Sequence, residues 1–530
     1  MDAMLSLTNT VGRYPRLLAL VLGAVSATGF QPLGLWPLTP LGVGLVLLLL
    51  ERCETRRGAF AIGWLFGLGH FTVGSTWIAT AFTFQANLPV ILGWPAVLLI
   101  AAYLALYPAL AALGARVVSQ QRGGWAHALA FAGCWIVAEW LRGWLMTGYP
   151  WNPLSAVLLG PFDRPGLAML APYTGTYALS GVVAALGAGF VLLLRARSWL
   201  WAVALAALTA GGMYAPAWRG EQEGTLAVTV VQPVIRQERI SDPEFYEANY
   251  TRLAQLSVPD EPGERRLVLW PESGLADYLR DGYPQRYYAA TTSLGSPEYA
   301  RRRIGGDIGA DSLLLTGAID LRIGQDATGY RRATGAYNAV TALNSEGEIV
   351  GSYAKAHLVP FGEYLPLRGL LEPLGLSRFV PGSIDFLPGP GPQTLDLGPY
   401  GKVGVGICYE VIFSGQLVDP ANRPDYIFNP SSDGWFGPSG PPQHFAQARL
   451  RAVEEGLPVL RATTTGISGI IDAHGVVRAY APMHEMKRLD ANIPPALPPT
   501  PFARLGNWLV LGWAILFLAL ARVALLRHAR

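Results

Sequence analysis

Apolar positions follow two regimes along the chain. From about residue 17 to about 217 they gather in blocks long enough to cross a bilayer, predicted as seven spans over 17–33, 34–50, 58–83, 88–115, 125–146, 167–194 and 199–217, and an eighth covers 507–526. Pro32 and Pro37 interrupt the first pair. Between 224 and 490 the apolar residues come instead in short runs bounded by turn residues. The runs at 226–231, 267–270, 313–319, 337–344, 349–355, 402–407, 426–429, 459–462 and 467–471 read as strands, and 444–455 reads as a helix. Ser345, Glu346 and Gly347 predict a hairpin, and Ala473, His474 and Gly475 a turn into Val476. Alternating strands and helices indicate an α/β domain. The expected organisation is a membrane domain over 1–220, an α/β domain over 224–490, and a linker with the last span over 491–530. The linker carries prolines at 494, 495, 498, 499 and 501, which stiffen it.

Composition supports the division. With 51% hydrophobic residues, 15% charged residues and a mean hydropathy of +0.30, the chain is too apolar for an ordinary soluble enzyme. No short apolar stretch ends in a small-residue cleavage site, so the first span is expected to be retained. The net charge of +3 and scattered arginines give no nucleic-acid footprint, and the run Arg301, Arg302, Arg303 reads as a solvated face. Three cysteines, Cys53, Cys134 and Cys408, show neither paired spacing nor a metal-ligand pattern.

Arginine placement sets the orientation. Arg13 and Arg16 precede span one, Arg52, Arg56 and Arg57 follow span two, Arg116 and Arg122 follow span four, Arg195 and Arg197 follow span six, and Arg527 and Arg530 follow span eight. With eight spans all these groups lie on one side, the cytoplasm, while the loops at 31–33 and 84–87 carry no charge. Both termini are then cytoplasmic and the α/β domain lies outside. The loop 147–166 shares that outer side, and its Tyr149, Trp151 and Phe162 suit an interface.

Within the α/β domain three residues fall at or near strand ends. In KVGVGICYEVIF, Val403, Val405 and Ile407 alternate with Gly404 and Gly406, which are expected to admit a close backbone, and Cys408 follows. A lone thiol there fits a nucleophile; a packed core cysteine is the ordinary alternative. Glu272 follows a strand stopped by Pro271, and Lys355 ends the strand that opens YAKAHLVPFGEYLP. Surface glutamates and lysines are the common case. A lysine inside a cleft needs a carboxylate partner, and Glu363, past a Pro and a Gly that turn the chain back, is placed to supply it. Trp435 and Phe436, in the loop PSSDGWFGPSG, line a pocket or cap the core. His357 is given no role.

Glu272, Lys355 and Cys408 together resemble the Glu-Lys-Cys triad of the nitrilase (carbon-nitrogen hydrolase) superfamily, whose fold is an αββα sandwich. The segments WPES, YAKAHLVPFGEYLP, GICYE and the stretch over 429–468 are similar, more specifically, to the apolipoprotein N-acyltransferase family. The likeness extends over nearly the whole chain, since that family has eight spans with the nitrilase-like domain between the seventh and eighth, facing the periplasm of the bacterial inner membrane. The resemblance implies Glu272 as general base and acid, Lys355 as oxyanion stabiliser and Cys408 as nucleophile. It also implies that Glu363 orients Lys355 and that Tyr409 and Glu410 shape the site. Two departures stand out: VIRQERIS lacks the Trp often found in the loop after the first strand, and AYNAV replaces the usual YNS.

The implied activity is acyl transfer from a membrane phospholipid, through a Cys408 thioester, to the amine of a diacylglyceryl-modified apolipoprotein, with no cofactor. A membrane-tethered amidase would use the same triad, and a non-catalytic receptor on this fold would not need it. A transporter would place charges within the spans, where Glu139 is the main one.

Overall fold

A computed structural model of the protein describes residues 14–84, 89–120, 122–216, 224–261, 263–325, 327, 329–371, 373 and 385–527. Arg13, Arg530 and most of the loop 84–87, used above for orientation, lie outside the described residues. Each apolar block is helical: Pro15–Ala27, Leu38–Glu51, Arg56–Gly74, Gly93–Leu104 with Leu106–Val118, Trp125–Arg142, Ala171–Arg195, Trp199–Tyr214 and Asn507–Arg527. Among the described residues three helical stretches are by themselves long and apolar enough to cross a membrane: Val90–Val118, Leu167–Arg195 and Asn507–Arg527. The others are shorter or less apolar. Pro15–Ala27 has 13 residues and Leu38–Glu51 has 14, because the chain between them turns through Pro32 and Pro37.

Small residues let these helices touch. A Cβ on Gly23 would lie 1.9 Å from the Phe66 carbonyl oxygen, and one on Gly69 would lie 2.1 Å from that of Leu20, so Pro15–Ala27 and Arg56–Gly74 pack backbone to backbone. Glu139, on the helix Trp125–Arg142, is buried and paired. Its Oε1 accepts from the Leu154 N–H at 3.1 Å and lies 3.4 Å from the Arg142 guanidinium, which also donates to the Tyr149 and Trp151 carbonyls. It fastens the loop 147–166 to its own helix.

The region after residue 224 forms two six-stranded sheets among the described residues. The first has the order β12-β1-β2-β3-β4-β5, from β1 (Ala227–Gln232), β2 (Arg266–Leu269), β3 (Ser312–Gln325), β4 (Arg331–Asn344), β5 (Ile349–Ala354) and β12 (Lys487–Asn492). The second has the order β11-β10-β9-β8-β7-β6, from β6 (Thr394–Asp396), β7 (Lys402–Val405), β8 (Tyr426–Ser431), β9 (Val459–Thr463), β10 (Ser468–Ile471) and β11 (Val477–Ala481). In each sheet three adjacent strands are parallel, β1-β2-β3 and β7-β8-β9, and the remainder are antiparallel.

Alternation along the strands builds four layers. Val228, Val230, Leu267 and Leu269 face Val403, Val405, Phe428 and Leu460 between the sheets. Val231, Val268 and Leu314 point outward against the helices Tyr246–Gln255 and Pro297–Ile308, and Ile427 and Val459 against the helix Gly440–Glu455. Both faces of each central strand are therefore buried, which explains their nearly continuous apolar reading. This is the expected αββα sandwich.

Three expectations are corrected. Gly404 and Gly406 admit side chains rather than a backbone, since Cβ atoms there would meet Pro424 and Leu417. Of the arginine run only Arg302 is largely solvated. Arg301 donates to the Gly347 carbonyl and pairs with Asp281, and Arg303 pairs with Glu247 and lies over the Tyr250 ring. Strand β7 ends at Val405, so Cys408 stands in a helical turn beyond it. The proline-rich linker packs on the sandwich: Leu497 N–H donates to the Gly456 carbonyl, and Thr500 Oγ1 donates to that of Glu454.

Candidate active site

Strand β2 delivers Glu272 into the space between the sheets. Its Oε1 accepts from Asn338 Nδ2 at 2.7 Å and its Oε2 from the Ser432 N–H at 2.8 Å. Asn338, on β4, donates also to Glu363 Oε1 at 2.8 Å and so spaces the two carboxylates. Glu363 is turned back toward the strand by 359–363, where its own N–H donates to the Val359 carbonyl and its Oε2 accepts from the Val359 N–H at 2.8 Å. Lys355, just past β5 and 1% exposed, has its Nζ 3.0 Å from Glu363 and 3.8 Å from Glu272. The turn expected from Pro360 and Gly362 thus pairs Lys355 with Glu363.

Electrostatics follow from this packing. Burial by itself pushes the Lys355 ammonium toward its neutral form, but Glu363 and Glu272 outweigh that and hold its pKa above the usual value. The lysine is a fixed cation. Burial and the facing Glu272 carboxylate push the Cys408 thiol well above the ordinary range, with Lys355 only partly offsetting them. The resting sulfur is protonated.

Cys408 opens the helical turn Cys408–Ile412 with φ +50°, a left-handed conformation uncommon for a non-glycine residue. Glu410 secures the turn. It is buried, and its Oε2 accepts from the Ile407 N–H at 2.8 Å. Its Oε1 accepts from Tyr353 Oη and from the Ala356 and His357 N–H groups at 2.8 to 3.0 Å. Glu410 thereby staples the Lys355 segment of one sheet to the Cys408 turn of the other. Burial leaves its pKa raised although these donors pull it down. Tyr409 points the other way, its hydroxyl donating to the Gly148 carbonyl at 3.0 Å. His357 stacks on Phe413 with ring centroids 4.1 Å apart.

Residues 22–189 match the family described as "Apolipoprotein N-acyltransferase N-terminal domain", and residues 247–497 match the one described as "Carbon-nitrogen hydrolase". An apolipoprotein N-acyltransferase of Rhodopseudomonas palustris is 33% identical over 514 residues, covering 93% of this chain and 91% of that protein. One of Caulobacter vibrioides is 33% identical over 533 residues, with 97% and 94% covered. The chain belongs to the apolipoprotein N-acyltransferase family. A solved amidase structure from Nesterenkonia sp. is similar over 52% of this chain and 92% of that one, at 20% identity and a TM-score of 0.32.

In this apolipoprotein N-acyltransferase family member the loop carrying Trp435 and Phe436 meets the N-terminal helical region. The Phe436 ring lies 4.7 Å from Trp77 and 5.6 Å from Trp151, and Trp435 lies 5.8 Å from Phe84. Trp151 Nε1 donates to Gln443 Oε1 at 2.8 Å, and Phe162 packs on Phe445 and Tyr480. The aromatic residues of the loop 147–166 thus pack between the helical region and the sandwich, with Trp151 1% exposed. Asn338 was absent from the sequence-derived site, as were Asn429, Asp433, His444 and Arg461 behind Cys408. Asn338, Asn429 and Arg461 carry a signal, polarity inside the runs AYNAV, YIFN and VLRAT that otherwise read as buried strands, whereas Asp433 in a loop and His444 on a helix carry none.

Proposed function

We propose that the chain transfers an acyl group from a membrane phospholipid to the amine of the diacylglyceryl cysteine of an apolipoprotein, through a thioester on Cys408. The observation that carries this reading is the buried cluster of Glu272, Lys355 and Cys408, with the Lys355 ammonium held between two carboxylates. Names of relatives over nearly the full length support the substrates.

The geometry supports the following order of events. Glu272 takes the thiol proton as the sulfur attacks the ester carbonyl, because the Cys408 pKa is too high for a resting thiolate. The oxygen gains a negative charge facing the fixed ammonium of Lys355. Such a preorganised donor is worth about 3 to 4 kcal/mol. Protonated Glu272 then gives its proton to the departing lysophospholipid. In the second half the lipoprotein amine attacks the thioester, Glu272 accepts the amine proton, and the thiol is restored. Glu363 orients Lys355, and Glu410 and Tyr409 fix the turn on which Cys408 stands. Trp435 and Phe436 line the approach from the helical region. Exposed Trp144, Leu145 and Met146, on the loop that Tyr409 holds through Gly148, offer an apolar surface to the lipid chains.

The reading extends to placement. Residues 1–220 form seven spans, 224–490 the catalytic domain, and 491–530 a linker and the eighth span. Helices shorter than the bilayer are accommodated by local thinning, and flanking residues snorkel to extend their reach. Both termini face the cytoplasm of a bacterial inner membrane, with the catalytic domain on the periplasmic side. The test is the intact mass of the purified protein after incubation with a diacyl phospholipid, beside Cys408→Ala. One added acyl chain on the wild type only, removed by hydroxylamine or by a lipopeptide amine, is the expected result. No adduct on the folded wild type rejects the transferase reading.

A further inference from the structure

Behind the nucleophile lies a polar cluster that the steps above leave unused. Asn429 and Ser431 stand on β8, Asp433 follows them, Arg461 is on β9, and His444 is on the helix Gly440–Glu455. Both His444 and Arg461 are 0% exposed. Arg461 donates to Asp433 at 2.7 and 3.0 Å and to Asn429 Oδ1, and its Nη2 lies 3.0 Å from His444 Nδ1. Ser431 Oγ donates to Asp433 at 2.6 Å. The cluster reaches the active turn at two points. Asn429 Nδ2 donates to the Gly406 carbonyl at 2.5 Å, and His444 Nε2 lies 3.0 Å from the carbonyl oxygen of Cys408 itself.

These contacts determine where the imidazole proton sits. A carbonyl oxygen only accepts, so Nε2 carries the hydrogen. Burial and the adjacent Arg461 guanidinium push the His444 pKa below its ordinary value, leaving the ring neutral. Nδ1 stands 3.0 Å from Arg461 Nη2 and 3.1 Å from Asp433 Oδ1, and in the neutral ring with its hydrogen on Nε2 it accepts from Arg461. For Asp433, burial favours the neutral acid, yet Arg461 prevails and keeps it ionised to balance the guanidinium. The tautomer is set by charge placed one residue further back.

The peptide after Cys408 transmits this order. A trans peptide carries its C=O and N–H on opposite sides. The Cys408 carbonyl is directed to His444, on the helix covering the outer face of the second sheet. The following N–H, that of Tyr409, is therefore directed to the other side, the layer between the sheets where Lys355 and Glu272 lie. The φ of +50° at Cys408 is a costly conformation for a cysteine, and the His444 hydrogen bond is an interaction that holds it.

We propose that His444, oriented by Arg461 and Asp433, is a positioning residue that aims the Tyr409 backbone N–H at the oxygen that becomes an oxyanion when Cys408 attacks. As the S–C bond forms, the carbonyl π pair moves to oxygen, and Lys355 and the Tyr409 N–H receive it. The pair returns as the bond to the lysophospholipid breaks. His444 neither gives nor takes a proton. The inference rests on the thioester reading of Cys408.

The experiment compares His444→Asn, which cannot reach the Cys408 carbonyl, with His444→Gln, whose side-chain amide is long enough to replace Nε2–H. Thioester formation with a diacyl phospholipid is followed by intact mass, and alkylation of Cys408 by iodoacetamide is followed by peptide mass. Alkylation is a displacement at carbon that forms no oxyanion. His444→Asn is expected to slow thioester formation on the order of 10²–10³-fold at saturating lipid, the loss associated with one oxyanion donor. Its KM and its alkylation rate stay within about threefold of wild type, and His444→Gln recovers most of the lost rate. Equal thioester rates in wild type and His444→Asn overturn the inference. Parallel loss of alkylation and thioester formation overturns it too, since that marks a collapsed site. Absence of any thioester on the wild type overturns the Cys408 reading and this inference together.

Discussion

At Glu272 one carboxylate oxygen accepts from Asn338 and the other from the Ser432 N–H, so the carboxylate proposed as base is held in one orientation near a thiol that burial keeps protonated. Glu272→Gln keeps the shape and removes the base. Thioester formation at pH 7 is expected to fall about 10²–10⁴-fold. The residual rate, which needs pre-ionised thiol, then rises about tenfold per pH unit from 7 to 9 while the wild-type rate stays nearly level, as rapid-quench mass measurements would read. Glu455, 5% exposed beside Glu454, reports burial through stability instead. Burial and the Glu454 charge push its pKa from 4.5 up to about 8 in the folded protein. Its folded pKa is the raised one, so between these two values only the unfolded carboxylate ionises. Stability is greatest below about pH 4.5 and is lost as pH rises to about 8. Glu455→Gln removes that loss. Its melting temperature should match wild type near pH 4 and exceed it by several degrees near pH 9.

At the scale of elements, the turn Cys408–Ile412 and the loop 143–151 act as a pair, joined by Tyr409 and Gly148. Gly148 has φ +79°, and a Cβ there would lie 2.4 Å from the Gly143 carbonyl oxygen and 2.9 Å from the Phe413 ring. Gly148→Ala must displace the loop. Expected is a roughly tenfold fall in kcat/KM for phospholipid with Cys408 alkylation changed less than threefold, a split that steady-state kinetics and peptide mass measure together.

Elements also decide what the sequence could disclose. Glu272, Lys355 and Cys408 were singled out because each ends or follows an apolar run and the three together resemble the nitrilase triad, and Glu363 because Pro360 and Gly362 return the chain. His444, Asp433 and Arg461 were not, since they belong to a helix, a loop and a strand that meet only through the parallel pairing of β8 with β9 and the helix packed over them. Strand β12 escaped because KRLDAN is polar and gains its place by antiparallel pairing with β1. The left-handed turn at Cys408 carries no local signature, because its cause is Glu410 and His444 contacts made from elsewhere.

For the whole molecule, the helical region and the sandwich are locked through buried polar contacts. Arg449 donates to the Gly160, Pro161, Arg164 and Gly475 carbonyls, while Glu454 Oε2 accepts from Thr176 Oγ1 at 2.6 Å and Ser414 Oγ at 2.9 Å. The sandwich is thereby fixed against one face of the helices. With the proposed topology, trypsin added to intact spheroplasts should cut at exposed sandwich arginines such as Arg322 and spare Arg195 and Arg197. Cleavage at the latter pair before lysis would reverse the orientation.

The last helix has a consequence for assembly. Val510 and Ala514 of Asn507–Arg527, with Phe502 before them, pack on Ile136, Tyr177 and Ala178 of helices made far earlier. Those early residues wait uncovered while the entire sandwich is synthesised, and in the proposed topology exported. The bundle is thus completed only after the sandwich has been made. A truncated chain that stops short of residue 500 would be left as an open bundle, a natural mark for membrane quality control.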